Sequence, residues 1–486
     1  MRDRDIVRPM LPRVLPGLAL VAACLPENPA LTDSSSASST SSGASTGEPT
    51  TGGASSGLFA CDAPPCTLVI VSQTLDDRID VHEVTGETSR LRGRIGLDLK
   101  PDPSGEQIMG NLLDEPYGLV LTPTDLLVAV GHYPDTDRGS LLRFPRTTFD
   151  ALAPGATFGV DQYYSGGTFS AGVEALIHER EEGIFYLPHP SGRLLIGVFA
   201  NSLKSADFST PSELLVVDPG DLAVDAIGSF DLGTIDPPCR GGWHLEALDP
   251  LVQDVAVACD GSESVVVLHL PQDLGSTAPQ DAAAAITACG LNLGGTGQWT
   301  TQFVAADGAG GFLAVQSQVA EPPRAWHVSG DCTPLGAPSM MVAPSVSEVR
   351  LLREAVRVPG ADVWLIAAGP PSPGVLVARG GGTPELCGMV TGLDGIDAAN
   401  APFALALDKT GTHLAIGAGP PSNPELSEGR GQVLWATLDT SKSAACELAA
   451  TSVLDLNAGL FQQASPDTWV RAPNVLLVHE IEGGGA

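Results

Sequence analysis

A chain of 486 residues that is 43% hydrophobic has enough apolar material for a large core, and its 57 acidic against 25 basic residues leave a net charge of −32. Binding a polyanion requires a basic patch that releases counterions, and the closest grouping, Arg90, Arg92 and Arg94, is too small to outweigh the surrounding acidity, so nucleic acid is excluded as a partner. The bland role of such acidity is solubility and repulsion from like-charged surfaces.

Residues 1–23 begin with Arg2, Arg4, Arg8 and Arg13, continue through a short apolar run over 14–23 and end in small residues before Cys24. That run falls well short of the roughly 20 helical residues needed to span a bilayer. The segment resembles a bacterial lipoprotein signal peptide. The resemblance implies cleavage before Cys24, lipid attachment to its thiol and an extracytoplasmic, membrane-anchored protein. Leu25, where an aspartate would hold the protein in the inner membrane, implies the outer one. Val21 stands where the commonest motif has Leu, and an ordinary secretory signal cut near Ala23 is the alternative.

Residues 24–60 read as a tether. From 32 to 57, 20 of 26 residues are Ser, Thr or Gly, and none is a large apolar residue. As a flexible coil this stretch has an end-to-end distance of about 25–30 Å.

The folded domain is expected over 61–486. Cysteines apart from Cys24 number eight, an even count for a chain bound for an oxidising compartment. Cys61 and Cys66 flank a short Asp-Ala-Pro-Pro loop, and Cys239 with Cys259 is a second expected bridge. No C-x-x-C or H-x-x-x-H spacing occurs, so neither a metal nor another cofactor is expected.

Short apolar or alternating runs then recur between Gly, Pro, Asp and Ser turns at 68–71, 126–130, 214–217, 255–258, 265–268, 312–315, 363–367, 413–417 and 432–436, which predicts β-strands almost throughout. One short helix is expected near 281–288. The strands repeat: 117–121, 126–130 and 140–144 form one unit, matched by 403–407, 413–417 and 432–436 around an Asp408-Lys409-Thr410-Gly411 turn. Further copies start near Val173, Leu245, Gln302 and Val349. A fourth strand position is marked by Cys289, Cys332, Cys387 and Cys446, which keep register with the repeat and are expected on outer strands.

Repeated four-stranded units indicate an all-β β-propeller. Six units are complete, and the strands at 68–71 and 79–84 lack an inner partner that residues 469–480 supply. Closing the ring with both chain ends gives seven four-stranded blades; the long units leave eight as the alternative. The repeats, above all 407–416 and 77–84, resemble the lactonase-like propellers with YVTN-type repeats, which implies that fold and, as one reading, hydrolysis of a lactone.

Motifs of chemistry are scarce. There is no P-loop and no H-E-x-x-H, and G-x-S-x-G occurs only inside the tether. Asp135-Thr136-Asp137-Arg138-Gly139 lacks the remaining ligands of a calcium loop, and residues 178–182 read as an exposed charged turn. Inner strands of a propeller begin around its central channel, and the repeat alignment puts Tyr117, Glu174, His244, Glu246, Gln302 and Arg353 at that rim. A histidine, two glutamates and an arginine there suit polarising a carbonyl and activating water; the plainer role is hydrogen bonding along the channel. Two functions follow: a non-enzymatic module binding a protein, glycan or small molecule through loops such as 201–211 and 420–431, and a lactonase-type hydrolase.

Overall fold

The structure is a computed structural model that describes residues 57–73, 78–97, 113–133, 139–165, 168–178, 183–198, 212–222, 227–294, 299–318, 321–341, 349, 352–397, 400–419, 432–456 and 473–482. The signal segment with Cys24, nearly all of the tether, and the loops at 135–138, 179–182, 201–211 and 420–431 lie outside the described residues.

Seven antiparallel sheets form in chain order. Blade 1 holds β1 (Cys66–Gln73), β2 (Arg78–Thr85) and β3 (Thr88–Gly96). Blade 2 holds β4 (Leu113–Leu121), β5 (Asp125–Tyr133) and β6 (Gly139–Pro145). The chain then leaves through residues 146–173, placing β7 (Ala156–Phe158) parallel to β3 and forming the small hairpin β8 (Tyr164–Ser165) and β9 (Thr168–Phe169). It returns as β10 (Glu174–His178), the outer strand of blade 2. Blade 3 is β11 (Gly183–Pro188), β12 (Leu194–Val198), β13 (Glu213–Val217) and β14 (Gly228–Asp231). Blade 4 is β15 (Gly242–Ala247), β16 (Asp254–Cys259), β17 (Ser264–His269) and, after the short helix α1 (Pro279–Ala284), β18 (Thr287–Asn292).

Blade 5 pairs only β19 (Thr300–Ala306), β20 (Gly311–Ser317) and β21 (Arg324–Ser329). The chain beyond β21 supplies β22 (Met340–Met341), which runs parallel to the outer edge of blade 6: β23 (Leu352–Arg357), β24 (Val363–Ala368), β25 (Gly374–Arg379) and β26 (Glu385–Met389). Blade 7 is β27 (Ala401–Leu407), β28 (His413–Gly419), β29 (Gln432–Asp439) and β30 (Ala449–Asp455), and β31 (Pro473–Ile481) closes the ring by pairing with β1 from Cys66↔Ile481 to Gln73↔Pro473. The innermost strands β4, β11, β15, β19, β23, β27 and β31 touch one another in that order, and β31 touches β4.

The sequence logic is that each blade lies between two others, so its middle strands are covered on both faces. That favours near-continuous apolar runs: all six residues of β24 (Val-Trp-Leu-Ile-Ala-Ala) and all seven of β20 are buried, whereas β18 at an outer edge is only partly covered. Among the described residues the core divides into seven clusters, one per blade junction. Leu68, Ile79, Leu126 and Phe144 fill the junction of blades 1 and 2, and Val69, Val84, Val433 and Trp435 that of blades 7 and 1. Each Val, Leu or Ile so buried contributes roughly 1.5–3 kcal/mol of transfer free energy.

Four disulfides occur among the described residues: Cys61–Cys66, Cys239–Cys259, Cys289–Cys332 and Cys387–Cys446, with Cα separations of 6.1, 5.2, 6.0 and 5.8 Å. The last two join neighbouring blades, 4 to 5 and 6 to 7. They depart from the expected placement on outer strands. Cys289 and Cys387 do lie there, on β18 and β26, but Cys332 and Cys446 sit in left-handed turns (φ 60° and 62°) of the next blade. Neighbouring outer strands stand too far apart for the Cα separation a disulfide needs, and a turn reaching back from the next blade closes that gap.

Strand direction defines two faces. Inner strands begin at what we term the upper face, and the strand ends flanking 201–211 and 420–431 stand there too. The N-terminal segment enters from the lower face. Leu58 and Phe59 are buried, with Phe59 edge-on to Phe149 at 5.5 Å. The fully buried Arg92 grips this segment, donating to the carbonyl of Gly57 and pairing with Asp62 and Glu83.

Candidate functional site: the upper channel mouth

All seven innermost strands carry a register irregularity near their N-terminal ends, where two consecutive residues oppose one on the neighbouring strand. The pairs are Asn474 and Val475, Tyr117 and Gly118, Ile184 and Phe185, Trp243 and His244, Thr301 and Gln302, Arg353 and Glu354, and Phe403 and Ala404. Bulges break the two-residue alternation and re-aim side chains. Here they make a sevenfold ring at the mouth of the channel.

Among the described side chains of these pairs, Tyr117 of blade 2, His244 of blade 4 and Arg353 and Glu354 of blade 6 bring ionisable groups to that ring. On β15, His244 lies 4.8 Å from the Phe303 ring of blade 5 and hydrogen-bonds the Val304 carbonyl. Two residues on, Glu246 accepts from the N–H of Ala306. On β23, an oxygen of Glu354 accepts from Leu405 N–H of blade 7 at 2.7 Å, and the Arg353 guanidinium stacks 4.5 Å above the Phe403 ring. Each group thus reaches across to the next blade's inner strand. A narrow cleft with no room for a water molecule adjoins the ring beside Trp243, His244, Leu245, Glu213, Leu232 and Gly197.

Protein crowds these groups while leaving part of their surface open to the channel. Desolvation therefore disfavours their charged forms. It pushes His244 down to about 4 and Glu246 up to about 7. Glu354 rises to about 8, chiefly through burial and further through the charge of nearby Glu246, against the opposing pull of the Leu405 N–H. At neutral pH the mouth holds a neutral imidazole and at least one protonated carboxyl beside aromatic faces. Apart from the Arg353 cation over Phe403, such a set offers neutral hydrogen-bond donors and acceptors, and it fits a hydroxyl- or carbonyl-bearing molecule. Among the described residues no group of three or more His, Cys, Asp or Glu is placed to hold a metal.

Of the residues expected at the rim, Tyr117, His244, Glu246, Gln302 and Arg353 fall on inner strands, with the Gln302 side chain outside the description. Glu174 does not. It starts β10 on the outer edge of blade 2, exposed and ion-paired with Arg143. The excursion 146–173 delays that fourth strand, so a unit starting near Val173 mistakes an outer strand for an inner one. Sequence reasoning missed Trp243, Glu354 and Phe403. Their signal is a pair of adjacent large side chains just before an alternating run, Trp243-His244 and Arg353-Glu354.

No family model matches the chain, and no curated protein is detectably similar to it. Comparison with solved structures finds distantly similar chains. A Pseudomonas aeruginosa periplasmic gluconolactonase is 11% identical, with 80% of this chain and 96% of that one covered and a TM-score of 0.48. A protein from Lactobacillus plantarum is 9% identical over 84% and 99% of the two chains, with a TM-score of 0.46. A hypothetical selenium-binding protein from Sulfolobus tokodaii is 10% identical over 86% and 94%, with a TM-score of 0.49. Its own ring of sheets makes the chain a seven-bladed β-propeller.

Proposed function

We propose that the protein is an extracytoplasmic, lipid-anchored binding module that takes a small, neutral, hydroxyl-rich ligand at the upper channel mouth. The observation that carries this reading is the bulge ring, where His244, Arg353 and Glu354, with Glu246 two residues beyond His244, lie on inner strands beside Trp243 and Phe403. The four disulfides support an oxidising compartment. The anchor rests on the sequence around Cys24. Thermal-shift screening of monosaccharides, disaccharides and sugar δ-lactones tests the site: a hit is expected to weaken in Glu354→Gln and His244→Ala, and hits untouched by both substitutions refute it. Metabolic palmitate labelling of wild type and Cys24→Ser tests the anchor; an unlabelled, soluble wild type removes it.

One observation favours a hydrolase as a second reading. A carboxyl titrating about 7, as Glu246 does, is matched to general acid–base work at neutral pH. Hydrolysis of a sugar δ-lactone whose rate follows an ionisation near 7, lost in Glu246→Gln, supports it. Binding without turnover leaves the module reading.

A further inference from the structure

The two inter-blade disulfides coincide with the two junctions across which the channel groups reach. Cys289–Cys332 joins blades 4 and 5, the junction that His244 and Glu246 span toward Val304 and Ala306. Cys387–Cys446 joins blades 6 and 7, the junction that Glu354 and Arg353 span toward Leu405 and Phe403. The other two disulfides lie elsewhere: Cys61–Cys66 precedes blade 1, and Cys239–Cys259 stays at the edge of blade 4.

Both junction bonds lie on the outer, lower side of the ring, where β18 and β26 begin, while the cluster lies at the inner, upper end of the same blades. A blade is a stiff hydrogen-bonded sheet. Tying two blades at their outer lower corners, with the inner strands in contact, limits how far their inner upper ends tilt apart. We propose that Cys289–Cys332 and Cys387–Cys446 are positioning elements of the channel site, each holding one half of it in register across its own junction. This inference rests on reading the channel cluster as the functional site. It makes the site two stapled halves: blades 4 and 5 with His244 and Glu246, and blades 6 and 7 with Arg353, Glu354 and Phe403. Glu354 senses the charge of Glu246 across the gap between those halves.

The two staples predict a crossed pattern. Cys387→Ser/Cys446→Ser is expected to lower the titration midpoint of Glu354 toward that of an ordinary glutamate while leaving His244 in place. Cys289→Ser/Cys332→Ser is expected to raise the midpoint of His244 and leave the Glu354–Leu405 bond in place. Carbon-detected NMR titration of labelled Glu and His reads both, with Cys61→Ser/Cys66→Ser as the control that shifts neither. A purely structural role lowers melting temperature in all three variants and moves no titration, and that result overturns the proposal. Equal shifts of both groups in both junction variants overturn it too. If a variant fails to fold, the same spectra on wild type before and after reduction decide, with unchanged midpoints counting against the idea. The test needs no ligand, so it stands apart from the screen: shifted titrations with no ligand found sink the binding reading and not the staples.

Discussion

Glu354 is a residue whose removal should stabilise the fold, by an amount set by pH. Its carboxyl is raised from an ordinary 4.5 to about 8 in the folded state. Below 4.5 it is protonated whether the chain is folded or not, and it costs nothing. Above 4.5 the unfolded chain gains by ionising while the folded one does not, so stability falls as pH rises until the folded group ionises as well near 8. At about 1.4 kcal/mol per pH unit, the loss by pH 7 is about 3 kcal/mol. Glu246 is coupled to Glu354, so the slope belongs partly to the pair. Glutamine keeps an oxygen for the Leu405 N–H and cannot ionise. Glu354→Gln should therefore match wild type near pH 4.5 and exceed it by about 3 kcal/mol at pH 7, or about 3 °C in Tm at the entropy of unfolding expected for a chain of this size. Urea denaturation and calorimetry at pH 4.5, 6, 7 and 8 measure it. A variant less stable than wild type at pH 8, or a difference independent of pH, refutes the desolvation argument. A stabilising substitution at a binding group is the usual trade of stability for function.

His82 on β2 gives the opposite pH dependence. Neither ring nitrogen has a partner among the described residues, and burial holds its folded pKa down at about 4; wild type should lose stability as pH falls from 6.5 to 4, and His82→Gln should blunt that loss in a melting-temperature series. Replacing Arg92 with Met leaves the buried Glu83 to Arg90 alone and removes the bond to the Gly57 carbonyl, so it should cost about 1–3 kcal/mol and open residues 57–62 to limited proteolysis. Chain entropy scales with loop length, so losing Cys387–Cys446, 59 residues apart, should cost about 4 kcal/mol. Losing Cys61–Cys66, only 5 apart, should cost about 2 kcal/mol in the same denaturation assay.

Much of the architecture was written in short-range chemistry. Apolar runs between turn residues marked the middle strands, and the Asp408–Gly411 turn was readable because Gly411 takes φ +71° while the Asp408 carboxylate caps His413. The missing inner strand of blade 1 announced ring closure by the C-terminal segment. What stayed hidden depends on contacts between distant segments. A detour such as 146–173 shifts the count of strands with no local sign, and Glu174 was misplaced for that reason. Bulges defeat a strict two-residue period, so Arg353 was named and its neighbour Glu354 was not. The left-handed turns of Cys332 and Cys446 are held by partners 43 and 59 residues away, which no local preference encodes.

The pairing of β31 with β1 carries a consequence for how the chain is made. The nine residues of β31, made after all seven blades' other strands, complete the first sheet, so no ring exists until β31 has been synthesised. A frameshift or cut ahead of β31 would leave the first and last blades unsealed, exposing sticky surface that proteases could seize.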